Sequence, residues 1–170
     1  MSRSGEFQVS VNRFTAARAG DVPQAVAAAT EAVWWITVVN SAVNRHHPAA
    51  YSRDLAALDP AARKAVERSL AGLRFIRSQL GTSADPGDFI QPPPGSGARP
   101  AAAWTWNEVP PPHPQRGKAR EVSPYREYRL QLADRPVAEA LERASGFLVQ
   151  VHATVGRPGR HKASGPAGQA

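Results

Sequence analysis

The sequence predicts an all-α fold, a small antiparallel helical bundle with a long proline-rich loop wrapped over it and a disordered tail. Three observations carry this expectation. Apolar residues recur at helical spacing in three long stretches, near 22–43, 62–80 and 137–155. Each stretch follows a residue able to cap a helix, namely Asp21, Asp59 and Asp134. Between the second and third stretches, nine of the sixteen prolines fall within residues 86–114, including runs that no helix interior tolerates.

Residues 1–20 admit either a short strand or the start of a helix, through Phe7, Val9, Val11 and Phe14. The first clear helix begins at Asp21, which stands at capping-box distance from Gln24, with Pro23 in the first turn where its missing N–H costs nothing. Its stripe is Val22, Val26, Ala29, Val33, Ile36 and Val43, and Asn40 occupies the skipped seam position. Trp34, Trp35, Val38 and Val39 make residues 32–39 apolar nearly all round, as in a helix that touches neighbours on several sides. Arg45-His46-His47-Pro48 ends it, with basic groups on the negative helix end and a proline that blocks continuation.

A short helix is expected near 49–57. Asp59-Pro60 opens the next one, with the stripe Ala62, Val66, Ser69, Leu73, Ile76 and Leu80 flanked by Leu70. Gly81 is expected to stop it in a left-handed conformation. Arg63 and Glu67 can pair on its wet side. Residues 82–120 form a connection unusually long for a compact domain. Its apolar anchors are Phe89, Ile90, Trp104 and Trp106, and Trp104-Thr105-Trp106 puts both rings on one side of an extended segment. Ser123-Pro124 opens a short helix through Tyr125, Tyr128 and Leu132. Asp134 is expected to cap the last helix, whose stripe is Val137, Leu141, Ala144, Leu148, Val151 and Val155, with Glu139 and Arg143 in the favourable order. Residues 156–170 carry no apolar side chain of consequence and are expected to be disordered, leaving 21–155 as a single helical domain.

A chain of 170 residues suits one modest core. The absence of Cys excludes disulfides, Cys-ligated zinc and a thiol nucleophile. No apolar run approaches 18 residues and the N-terminus lacks a signal-like stretch, so a cytoplasmic protein with no membrane-spanning helix is expected. The net charge of +7 invites a nucleic-acid reading. However, residues 21–85 carry +1 and 121–155 carry −1, so the excess lies at the two ends and in the long connection. Such tail charge supports weak, sequence-blind contact with polyanions at most. Eighteen of the 21 bases are Arg, which together with the many Ala and Pro resembles the codon bias of a high-GC bacterial genome.

Few groups could carry chemistry. On a helical wheel Arg77 falls about 40° outside the stripe of its helix, and a guanidinium there needs partners. Asn40, Asn44 and Glu31 on the preceding long helix are the candidates. The choice lies between a structural contact with the Arg head reaching water and an anion pocket at the helix interface. His46 and His47 are adjacent, so they point about 100° apart and suit a helix end better than a shared metal ion. His152 beside the last stripe reads as a packing residue, and His113 and His161 lie in expected coil. Gly81, Gly87, Gly95 and Gly97 lack phosphate-loop spacing, and no Ser stands in a nucleophile elbow. No metal or cofactor is expected. The four tryptophans are either core or, where Trp104 and Trp106 meet Trp34 or Trp35, a ligand slot.

A long apolar helix followed by a helix with Arg near its C-terminal end (LRFIRSQLG, Arg77-Ser78) resembles the HEPN superfamily of helical bacterial proteins, many of them RNA-cleaving toxins or their relatives. The resemblance covers residues 21–81. Active members carry Arg, a polar residue and then a His shortly after. Here Gln79, Leu80, Gly81, Thr82 and Ser83 follow, and the next His is His113. The resemblance therefore implies a non-cleaving member. The expectation is a non-catalytic helical protein that binds a protein partner or a small ligand through Arg77, Asn40, Asn44, Glu31, Trp104 or Trp106. The alternative is a degenerate HEPN-like, RNA-directed protein of RNase-related or toxin–antitoxin type. Sequence-specific DNA binding lacks a recognisable recognition helix.

Overall fold

The computed structural model describes residues 6–17, 21–81, 85–92, 104–111 and 122–156. Among them the chain is mainly α-helical. The order is α1 (Glu6–Ala16), α2 (Val22–His46), α3 (Pro48–Ala56), α4 (Pro60–Leu80), one turn of 3-10 helix (Pro86–Phe89), β1 (Ile90–Gln91), β2 (Thr105–Trp106), α5 (Val122–Gln131) and α6 (Val137–Val155). The expected disorder of 157–170, most of the proline-rich connection, His113 and His161 lie outside the described residues.

Helix α1 resolves the open choice over the N-terminal segment in favour of helix. Val11 and Phe14 are buried and three apart, whereas Val9 is 55% exposed. Alternation of Val9 with Val11 is what allowed a strand reading, and the helix sends the two to opposite environments. Helix α2 starts as expected, with the Asp21 carboxylate accepting from the Gln24 N–H at 3.1 Å. It packs against α1, α3, α4 and α6, which accounts for its nearly all-round apolar surface. Helix α4 is capped by Asp59, which accepts from Ala61 and Ala62 N–H, and it packs most extensively on α5. The core runs through the expected stripes, with Ile36, Leu70, Leu73, Ile76, Leu141 and Leu148 among its fully buried members.

Three expectations are corrected. Gly81 ends α4 with φ −77° and ψ −7°, ordinary right-handed values. Its N–H donates to the Arg77 carbonyl at 3.2 Å, so the last turn closes without a left-handed residue. Asp134 does not cap α6. It sits two residues too early, with φ +60°, and Pro136 is the N-cap without a side-chain bond. The cap comes from another segment, as the Val137 N–H donates to the Trp104 carbonyl at 2.8 Å. Finally, α2 is long and apolar enough to cross a bilayer by length and composition alone, contrary to the run-length expectation, with an 18-residue window of mean hydropathy 1.3. Half of that window is buried within the fold, as befits a central helix.

The extended segment at Trp104–Trp106 is wired on two sides. Along β1, Ile90 pairs with Trp106 and the Asn107 N–H donates to the Phe89 carbonyl at 2.9 Å. On the α5–α6 corner, the Trp106 N–H donates to the Arg135 carbonyl at 3.0 Å, and the Asp134 N–H donates to the Trp106 carbonyl at 2.8 Å. That last bond uses the left-handed backbone of Asp134, a conformation that Asp tolerates better than most residues. Beneath lies an aromatic cluster in which Phe75 meets Tyr128 at 5.1 Å and Tyr125 at 5.4 Å between ring centroids. The Tyr128 hydroxyl donates to the Asn107 carbonyl and the Tyr125 hydroxyl to that of Val109.

Candidate functional site

The six nominated side chains do not gather into one site. Arg77 sits at the seam of α2 and α4, but its partners are not those expected. Its Nη1 donates to Thr37 Oγ1 at 3.4 Å, and its guanidinium lies 4.4 Å from the centroid of the Trp34 ring. The Thr37 hydroxyl in turn donates to main-chain carbonyls of its own helix, Val33 at 2.8 Å or Trp34 at 2.9 Å, which leaves its oxygen free to accept. Asn40 is buried and accepts from the Tyr51 hydroxyl at 2.9 Å. Asn44 is exposed. Glu31 pairs with Arg13 of α1. The reason is angular. Thr37 and Trp34 lie one turn apart on the α2 face that Arg77 meets, while Asn40 turns toward α3 and Glu31 toward α1.

Trp104 and Trp106 are buried to 0% and 1% exposure. A void of about 10 Å³ beside Trp106 is lined by Val33, Ile76, Phe89 and Ile90, too small for any ligand. Neither indole Nε1 has a hydrogen-bond partner among the described residues. Trp34 and Trp35 lie on the α2 surface instead, with Trp34 50% exposed. The structure therefore does not build a slot from the two tryptophan pairs.

What it builds is a cleft the sequence reading did not nominate. The C-terminal halves of α2 and α6 enclose about 260 Å³. Helix α2 supplies Trp35, Val38, Val39, Ala42 and Val43, followed by His46 and His47 at its end. Helix α6 supplies His152 and Val155. Among the described residues the histidines are the only ionisable groups in its lining. The signal in the sequence was a second stripe on α2, with Trp35, Val38, Ala42 and His46 at helical spacing beside the first. What sequence could not show was that none of the described elements covers it fully.

Along α2 and α6 the acids lie far in sequence from the residues that line the cleft. No acid stands between Glu31 and Asp54, and none follows Glu142 to the end of the chain. Asp54 is buried beside Arg53, with Oδ1 at 3.4 Å from Arg53 Nε. Behind the cleft, Tyr51 stacks edge-on with Phe147 at 5.2 Å between ring centroids. Burial pushes its hydroxyl pKa up, with Arg74 opposing and Glu67 adding to the rise, so it remains a neutral donor to Asn40. His47 also serves as the C-cap of α2, its N–H donating to the Val43 carbonyl at 2.8 Å, which agrees with the helix-end role expected of the pair.

A second, wider depression of about 570 Å³ gathers Asp88, Glu108 and Asp134 with Gln79, Gln91 and Asn107. Glu108 is 3.6 Å from Arg129. This depression borders segments outside the described residues. Among the described residues no group of three or more His, Cys, Asp or Glu is placed to hold a metal ion. Comparisons of the chain with protein-family models, with curated proteins and with solved structures find no match in any of the three.

Proposed function

We propose that this is a non-catalytic helical binding protein whose ligand is a small apolar molecule seated between α2 and α6. In this reading the helices form a small antiparallel bundle and the proline-rich connection folds over it. The observation that carries the proposal is the cleft itself, an apolar concavity of about 260 Å³ walled by Trp35, Val38 and Val155 with three imidazoles as its polar groups. Apolar walls with a few convergent polar groups are the usual make-up of small-molecule sites, which run from roughly 300 Å³ upward. Just below that range, the cleft suits a small molecule better than a protein partner.

The test is calorimetric titration with 1-octanol and 1-hexanol. Two methylenes at about 0.8 kcal/mol each make octanol the tighter ligand by roughly tenfold. Ala42→Trp, at an exposed position on the cleft wall, should fill the space and abolish binding while leaving the melting temperature in place. Equal affinity of the variant and the parent, or no binding by the parent, defeats the proposal. The RNA-directed alternative centres on Arg77 and predicts RNA binding or degradation that Arg77→Ala removes.

A further inference from the structure

Helix α2 carries no charged side chain on any face between Glu31 and Arg45. A helix that is apolar nearly all round is ordinarily enclosed on all sides. The described elements enclose only part of this one, and half of its most apolar window is buried. The side left open is a straight strip, because Ala27, Glu31, Trp34, Val38, Ser41 and Arg45 follow one another at 4-3-4-3-4 spacing. None of the six is buried, and the Trp34 ring near the centre is 50% exposed. Single exposed apolar residues need no explanation, whereas a contiguous strip bounded by charges marks an interaction surface.

We infer that this strip docks a second copy of the chain, α2 against α2 in antiparallel order about a two-fold axis at Val38. The inference goes beyond the ligand reading and does not depend on it.

Charge selects both the partner and the order. Glu31 and Arg45 stand at equal distances in sequence on either side of Val38. An antiparallel pair with its axis there places Glu31 of each copy opposite Arg45 of the other, so an ion pair closes each end. A parallel pair would set Glu31 against Glu31 and Arg45 against Arg45, which repels at both ends. Glu31 already bonds Arg13 through Oε2, and its other carboxylate oxygen has lone pairs for a second guanidinium.

Shape agrees with charge. In the same register Trp34 stands level with Ala42 of the second copy and Trp35 with Ser41, so each large ring meets a small side chain, while Val38 meets itself. The Arg77 guanidinium, 4.4 Å from the Trp34 ring centroid, orders that ring before docking and so reduces the entropy that docking costs.

The strip also sets the strength. From Glu31 to Arg45 the contact is about 21 Å long at about 1.5 Å per residue, with one helix from each copy. That lies at the small end of specific interfaces, so the dimer is reversible and depends on concentration. Trp35, Val38 and Ala42 also wall the α2–α6 cleft, so the docked copy lies over one rim of it.

The experiment is sedimentation equilibrium of the full chain without added ligand. The average mass should rise from 18.2 kDa toward twice that value. The rise should fall between about 1 μM and about 500 μM, the span in which a small interface fills. Arg45→Glu and Glu31→Arg should each weaken self-association about tenfold, since each turns both end contacts repulsive. An equimolar mixture of the two variants should associate again, because every end contact between them is of opposite sign. Damage to the fold would not be repaired by mixing. The chain has no Cys, so one introduced thiol reports the register. Val38→Cys should give a disulfide-linked dimer on mild oxidation with diamide, as its two copies meet on the axis at an interhelical distance of about 8–10 Å. Ser41→Cys, whose copies stand about 9 Å apart along the helices, should not. A chain that stays monomeric throughout overturns the inference and leaves the strip to a different partner. A mixture that fails to associate, or a Ser41→Cys thiol that links as readily as Val38→Cys, overturns it as well. With no ligand present, these outcomes leave the cleft reading untouched, and failure of octanol to bind leaves the dimer untouched.

Discussion

The protein holds two tryptophan pairs with opposite fates. Trp104 and Trp106 are sealed in the core, whereas Trp34 is half exposed and Trp35 forms a wall of the open cleft. The difference follows from the backbone each pair stands on. Residues two apart on an extended segment project to the same face, so Trp104 and Trp106 are buried together. Adjacent residues on a helix diverge by about 100°, and on α2 this leaves Trp34 half exposed while Trp35 packs partly against the core. Hydrogen bonding reinforces the contrast. An extended segment must find partners for its N–H and C=O groups, and this one finds them on Phe89, Arg135, Asp134 and Val137. Helix α2 satisfies its own backbone and is free to offer an apolar side to solvent. One pair is sealed in the fold, while of the other Trp34 stacks with Arg77 and Trp35 walls the cleft.

Substitutions can break this contrast, and the largest effect belongs to the sealed pair. Trp104→Ala should cost about 3–5 kcal/mol, the usual range for emptying a buried tryptophan site, read as a lower urea midpoint. A loss under about 1 kcal/mol would mean that the segment is not part of the core. Next is Gly72→Ala, on the α4 face that meets α5. A Cβ there would stand 2.8 Å from Leu132 Cδ1, and Leu132 is fully buried. Overpacking of this kind costs about 1–3 kcal/mol, measurable in the same denaturation series.

Tyr128→Phe should cost about 1–2 kcal/mol by leaving the Asn107 carbonyl without its donor. It also carries a pH signature. Burial is the main cause of a strongly raised pKa for Tyr128, with Asp134 and Tyr125 adding to it, against an ordinary value of 10.0. The folded chain keeps this proton at a pH where the unfolded chain releases it. The contribution is therefore fully present below about pH 10 and declines as pH rises above it. The variant should unfold with a shallower alkaline slope, and an unchanged slope would mean that this phenol is not shielded. The smallest effect is at the open pair. Trp34→Ala gives up a half-exposed ring and one cation–π contact with Arg77, worth about 0.5–1 kcal/mol. A loss as large as that of Trp104→Ala would erase the distinction between the two pairs.

Much of the helical plan was legible because its signals are local. Asp21 and Asp59 cap their helices through bonds to residues two or three positions on, and Pro48 and Pro60 act through their own rings. The stripe of α6 could be read because Leu141, Ala144, Leu148 and Val151 all face one core. Asp134 misled because it is a good capping residue whose N–H is claimed by the Trp106 carbonyl, a partner 28 positions away in the chain. Arg77 was correctly placed near the packed seam. Its partners were not legible, because the choice among Thr37, Asn40 and Glu31 depends on how two helices are rotated against each other. The cleft was half legible: its α2 stripe is in the sequence, while the approach of His152 and Val155 is not.

The sequence by itself determined where most helices begin and end and which of their faces are apolar, because caps, prolines and periodicity act within a turn or two of chain. Tertiary structure alone decided that α6 would be capped by the Trp104 carbonyl, that one tryptophan pair would be buried and that His46, His47 and His152 would border one apolar concavity. Those outcomes depend on contacts between residues far apart in the chain. They are fixed only when the helices settle on a particular rotation and crossing, which no local pattern encodes.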